Sequence, residues 1–335
     1  MDKKFDADFI NKKVQKEIIF FLKDESELKA DVEYVFKIAM PDRPKAYLML
    51  QFAKALKVKE EKIMPFVMVA DLMMAAAMNN DDIIDDNAER CGEKVLWKVK
   101  GINLTIIVTD YMYALIFSIL KKYRPNIGHA DFPAYQKSEN LLLDYFRIMN
   151  IAQYNTTVSS RSLAKFTLKD LENLATKKAS LLFQFCTVVP AYFANQYVED
   201  LENFGYQLGI ARQYISDIQD FMKVPGDNYK DGMRMEDYFT HQPNLVLILI
   251  GTSEKLSVEE KKWFYKNWTN SVSEKDRGSI TTKVVQFVRK TDAILEAKKV
   301  LKKIQKKLKK SLSNLPNEEF KKNMSKWAFR SFPID

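Results

Sequence analysis

Glycine is scarce in this chain, 9 residues in 335, and proline is little commoner at 10. With so few punctuators, long periodic helices are favoured over short strands joined by tight turns. Cysteine occurs only twice, at Cys91 and Cys186. That excludes a disulfide framework and points to a reducing compartment, the cytoplasm. Histidine also occurs twice, at His129 and His241. Neither has a carboxylate or cysteine partner at ligand spacing, so both read as loop residues. The N-terminal MDKKFDADFINKK lacks the apolar core of a signal peptide.

What is present is apolar and periodic. Hydrophobic residues make up 47% of the chain, enough for an extensive core. They recur at three- and four-residue spacing. This predicts helices at about 6–22, 27–38, 44–56, 60–86, 102–122, 136–157, 168–195, 199–223, 255–267, 272–312 and 317–330. The connectors at 40–44, 123–132, 224–232 and 240–244 are short and polar. No strand alternation, repeat or long linker is evident. The reading is all-α, a single helical bundle domain over 1–335. Ile102 to Leu120 has the apolarity of a bilayer span, but it contains Asp110 and several hydroxyls. A buried core helix is the expectation there.

The net charge is +9, and eight lysines fall between Lys298 and Lys310. Leu301, Ile304, Leu308, Leu312 and Leu315 recur at helical spacing beside them. This predicts a basic amphipathic helix near 292–312, lying on the surface with a solvated cationic face. A weak membrane-surface contact is the alternative. Nucleic acid is not an expected partner, because no reader motif accompanies the charge.

Two acidic stretches carry the chemistry. Residues 81–90, DDIIDDNAER, hold four aspartates and an arginine in ten positions. Asp81 and Asp85 stand i, i+4, on one helical face. Carboxylates crowded in this way repel unless solvated or bound to a cation. Without nearby His or Cys they suit a hard ion such as Mg2+. Downstream, Asp217 and Asp220 stand i, i+3. Two such helices in a bundle can hold a multinuclear metal site, and a diphosphate bridged by Mg2+ suits carboxylates on both sides. Arg90 and Lys178 are candidate cations for its oxygens.

The ordered motifs resemble those of the trans-isoprenyl diphosphate synthases, or polyprenyl synthetases. The family's DDxxD followed by RRG is matched by Asp81, Asp82 and Asp85, then Arg90-Cys91-Gly92. Its Q-x-x-DDxxD is matched by Gln213, Ser216, Asp217 and Asp220. Its K-T-A-x-L-F element is similar to Lys178–Phe183, and GKRxRP is matched weakly by Ala39–Pro44. The resemblance implies an all-α fold of the class I isoprenoid synthase type around a central cavity. It implies two or three Mg2+ ions, an allylic isoprenyl diphosphate as substrate, and a homodimer. Asp81 and Asp85 would be Mg2+ ligands with Asp82 supporting, and Asp217 and Asp220 would complete the opposite wall. Arg90, Lys178 and Gln213 would attend the allylic diphosphate, and Arg43 is the surviving cation of the GKRxRP element. Ala76 and Ala77 stand where the family floors its chain pocket. Small residues there imply a deep cavity for a farnesyl or geranylgeranyl chain, and close helix packing is the other reading.

The departures fall mainly in the isopentenyl diphosphate half. Met40 and Pro41 replace a lysine and an arginine, Cys91 replaces the second arginine of RRG, and Met74 replaces a histidine or glutamine. Charged hydrogen bonds contribute about 1.5–3 kcal/mol each, so their loss would weaken that site severely. Ser216 stands where the family places an aspartate, Met233 where a lysine is expected, and Val224 departs from the glutamate of terpene synthases. The expectation is ionisation of an allylic diphosphate, then transfer to a non-standard acceptor or cyclisation. Ordinary chain elongation, and a non-catalytic subunit of a heteromeric synthase, are the alternatives.

Overall fold

The computed structural model describes residues 7–159, 164–222, 235–315 and 317–330. Residues 224–232, with Met233 and Arg234, lie outside them. The described chain is helical apart from turns, connectors and one two-stranded ribbon, as the scarcity of glycine and proline requires. It forms two compact units, Met1–Leu142 with Phe185–Val198, and Leu143–Gln184 with Glu199–Asp335.

The first unit is built on α4 (Glu60–Ile84). Its sequence from Ile63 to Met78 is apolar but for Asp71, so almost every face can be buried. It packs against α2 (Ser26–Ala39), α3 (Pro44–Ala55) and α6 (Ile102–Tyr123). Phe66 of α4 is fully buried and meets the rings of Tyr135, Phe185 and Phe193. Burying such a side chain contributes about 1.5–3 kcal/mol. α6 is amphipathic in an unusual sense. One face, with Val108, Met112, Leu115, Ile116 and Ile119, is buried. The other exposes Ile102, Leu104, Ile106 and Ile107 by 46–57%. The expected core helix therefore has only one core face.

The second unit centres on α12 (Leu245–Thr252), which packs against α8 (Leu168–Ala175), α13 (Val258–Thr269), α14 (Glu274–Thr291) and α15 (Ala293–Ser311). The periodicity reading omits α12, and the reason is its composition. LVLILIGT is apolar on every side, so no stripe marks it. Its start is nevertheless encoded. Asn244 caps it by accepting a hydrogen bond from Val246 N at 2.8 Å.

Three further differences have local causes. The expected helix 272–312 is split at Asp292, whose φ of 54° is left-handed and starts α15 on a new axis. The expected helix 168–195 carries a π-helical turn at Thr176–Ser180, between α8 and α9 (Leu181–Ala194). Ser180 lies so close to Gly209 of α10 (Val198–Gln219) that a Cβ at 209 would overlap its backbone. The third is a ribbon, β1 (Glu89–Arg90) paired antiparallel with β2 (Glu93–Lys94). Its two-residue strands are too short to show alternation. Its turn is Cys91 and Gly92, both at positive φ, which suits a tight hairpin.

Candidate functional site

The first acidic stretch closes α4. Asp81 lies in the last turn and Asp85 is the C-cap, with Asp85 N donating to Asp81 O at 2.8 Å. Both side chains are half-buried, so the i, i+4 face anticipated from spacing survives at the helix end. Asp82 points the other way and is 2% exposed. Arg90 grips it through Nε at 3.1 and 3.2 Å and through a terminal nitrogen at 2.5 Å. Asn87 Nδ2 adds a donor at 3.3 Å. The pair turns a buried carboxylate from a cost into an anchor for the ribbon that bears Arg90.

Other contacts hold the same turn. The indole Nε1 of Trp97, in α5 (Leu96–Lys100), donates to Asp82 O and Asn87 O, both at 2.9 Å. Asp82 O also accepts from Asn87 N at 3.0 Å, so the indole ties the turn that follows α4 at both ends. Asn79 Nδ2 donates to Thr109 Oγ1 of α6 at 2.8 Å, and Asn80 bonds the Tyr113 side chain one turn along α6. Burial, with Asp81 and Asp110 nearby, pushes the Tyr113 phenol up. None of Asn79, Asn80, Trp97 or Tyr113 stands out in sequence, because each becomes informative only once its helix has a neighbour.

The remaining candidates of the first unit divide. Ala77 is half-buried, like Met74, Met78 and Asp81, whereas Ala76 is fully buried in packing. Arg43 corrects the sequence reading. It is 2% exposed, its guanidinium lies 3.7 Å over the Phe36 ring, and it donates to Asn11 Oδ1 and Phe36 O, each at 2.8 Å. It fastens α1 (Ala7–Phe21) and α2 to the start of α3, and is not presented to a substrate. Cys91 is exposed at the ribbon turn. Met40 is half-buried and Pro41 is exposed.

Sequence reading also missed a buried ionic cluster. Asp71 and Lys45 are each 4% exposed, and Arg43, Lys45 and Asp42 all act on the Asp71 carboxyl. Burial outweighs the two cations and pushes that carboxyl up to about 6. Desolvation also pushes the nearby Cys186 thiol up. The available signal was a lone acid in an apolar helix.

In the second unit the acids of the second motif are drawn inward. Asp217 is 1% exposed and Asp220 9% exposed. Asp217 accepts from Gln213 Nε2 at 2.9 Å and from Leu245 N at 2.8 Å, at the start of α12. Asp220 accepts from Glu236 N at 2.9 Å and Asp237 N at 3.2 Å, at the start of α11 (Glu236–Phe239). Both carboxylates therefore cap helices inside their own unit, where helix dipoles favour an anion. Gln213 is committed to Asp217. Ser216, the departure from the motif, occupies the exposed position between them. Burial and the Asp237 carboxylate hold both carboxyls above the usual range. Asp237, itself bonded by Asn244 Nδ2 at 2.7 Å, is a third acid that sequence reasoning did not select. Lys178 is half-buried in the π-helical turn, with Lys177 beside it.

Comparison with known proteins places this arrangement. The polyprenyl synthetase family profile matches residues 26–284. The chain belongs to the polyprenyl synthetase family. It is 25% identical over 165 residues to a geranylgeranyl diphosphate synthase of Mycobacterium tuberculosis, covering 48% of this chain and 45% of the relative. It thus matches less than half the length of the curated relatives. The fold is shared over much more. A geranylgeranyl pyrophosphate synthetase from Pyrococcus horikoshii superimposes with a TM-score of 0.81 at 18% identity, covering 96% of this chain and 94% of that one. The Corynebacterium glutamicum geranylgeranyl pyrophosphate synthase, complexed with isoprenyl diphosphate and magnesium, gives 0.79 at 16% identity, covering 99% and 100%.

The donor sets of this polyprenyl synthetase suit Mg2+ unequally. Asp81 and Asp85 offer half-buried carboxylates at a braced helix end, all-oxygen donors for a hard cation. Asp217 and Asp220 are buried and each of their oxygens accepts a hydrogen bond from a backbone or amide N–H group, so they present less to a cation than Asp81 and Asp85 do. Among the described residues, no group of three or more His, Cys, Asp or Glu side chains is gathered to hold an ion.

Proposed function

We propose that this polyprenyl synthetase ionises an allylic isoprenyl diphosphate, from geranyl to geranylgeranyl, in an Mg2+-dependent step that releases pyrophosphate. The prenyl group then passes to an acceptor other than isopentenyl diphosphate, or cyclises. The carrying observation is the braced end of α4, where Asp81 and Asp85 are half-buried while Asp82 secures Arg90. Asp81 and Asp85 would hold the metal, which when bound neutralises the diphosphate and eases its departure. Arg90, 20% exposed in its side chain, would supply hydrogen-bond donors to the diphosphate oxygens, a role that only the family resemblance extends to Lys178. Met40, Pro41 and Met74 offer no cation for a second diphosphate, and the inward turn of Arg43 removes the cation that could have compensated.

A second reading has its own support. The capping roles of Asp217 and Asp220, with Ser216 exposed, favour a non-catalytic subunit of a heteromeric synthase. The apolar face of α6 supports a homodimer in the first reading and a heteromer in the second. The two thiols accord with a cytoplasmic location. The experiment is pyrophosphate release from geranyl, farnesyl and geranylgeranyl diphosphates with Mg2+, with and without isopentenyl diphosphate. Release abolished by Asp81→Ala and indifferent to isopentenyl diphosphate supports the proposal. Chain-lengthened product at ordinary turnover overturns the acceptor assignment. No release with any substrate favours the partner subunit.

A further inference from the structure

The positive charge of this protein is concentrated on one helix. Eight lysines and no acid lie between Lys298 and Lys310, against a net charge of +9 for the whole chain. At about 100° per residue, Lys299, Lys302, Lys303, Lys306, Lys307, Lys309 and Lys310 fall on an arc of roughly 160° over a length of about 17 Å. All seven are exposed. Lys299 pairs with Glu296 at 2.7 Å. Among the described residues, Lys302, Lys303, Lys306, Lys307, Lys309 and Lys310 form no salt bridge with an acid. Opposite this arc, Ala297, Leu301, Ile304 and Leu308 are at most 6% exposed, packed within their own unit.

We propose that this face of α15 is an electrostatic docking surface for an anionic lipid bilayer. The charges lie within about two Debye lengths at physiological salt, so a flat anionic surface meets them as one patch. Lysine clusters of this size on a helix are sufficient for attraction to acidic headgroups. The usual apolar stripe of a membrane-surface helix is already buried in the protein. Contact is therefore adsorption without insertion, reversible by salt. Nucleic acid is the less favoured polyanion. Residues 293–311 contain no arginine for bidentate phosphate contacts and no aromatic ring for base stacking. Docking also places the chain where amphiphilic prenyl diphosphates would collect, though the inference stands without that reaction.

The test is co-sedimentation of the full chain with phosphatidylcholine vesicles, with and without phosphatidylserine. Binding should require phosphatidylserine and fall at least about tenfold between about 0.1 and 0.5 M NaCl. The joint variant Lys302→Gln, Lys303→Gln, Lys306→Gln, Lys307→Gln should lose at least about tenfold in partition. A variant with Lys12, Lys16, Lys37 and Lys59 changed to Gln alters net charge equally and should bind as the wild type does. Equal loss in both variants, no binding to phosphatidylserine vesicles, or salt-resistant binding to neutral vesicles overturns the proposal. So does retention on duplex RNA or DNA at salt that releases the vesicles. Vesicle binding is independent of pyrophosphate release, so failure of one assay leaves the other interpretable.

Discussion

Asp71 shows how a single buried carboxyl reports on its surroundings. Burial raises it from an ordinary 3.8 to about 6 despite Arg43 and Lys45. Between about pH 4 and 6 the folded chain therefore holds a proton that the unfolded chain has lost. Stability from this group falls as pH rises through that window and is level above it. Asp71→Asn has nothing to titrate there. The Tm of the wild type relative to the variant should fall between those pH values, and a rising difference would contradict the burial argument. Arg43 carries a parallel lesson. Its place in a weak motif was legible, but its direction was not, because only packing turned it under Phe36.

At the scale of elements, the two aspartate motifs part company. The end of α4 is braced by a ribbon, a tryptophan and two α6 contacts, and leaves Asp81 and Asp85 half-buried. The end of α10 turns its acids inward to start α11 and α12. Replacing Asp217 by Ala should cost about 1–3 kcal/mol, because Leu245 N and Gln213 lose an acceptor. Asp217→Asn, which keeps an acceptor for Leu245, should stay folded and retain Mg2+ affinity by isothermal titration. Loss of that affinity in the Asn variant would restore Asp217 to the metal. Helix spacing identified both acidic faces. It could not assign inside and outside, since i, i+3 pairs serve caps and metals alike. α12 escaped for the opposite reason, being apolar all round.

For the whole molecule, the exposed apolar face of α6 is the surface on which the proposed dimer would form. Such a patch is costly to leave in water and marks an interaction surface. In the homodimer reading, Ile106→Lys with Ile107→Lys should give a monomer by light scattering, with helicity retained by circular dichroism. A dimer that survives both substitutions would move the interface elsewhere. The sequence by itself determined the helical class, the family and the cationic C-terminal helix. These follow from composition, periodicity and ordered motifs, which are local properties of the chain. The tertiary structure alone decided which carboxylates are drawn inside as helix caps. That choice depends on which neighbouring N–H groups, here those of α11 and α12, reach a carboxylate first.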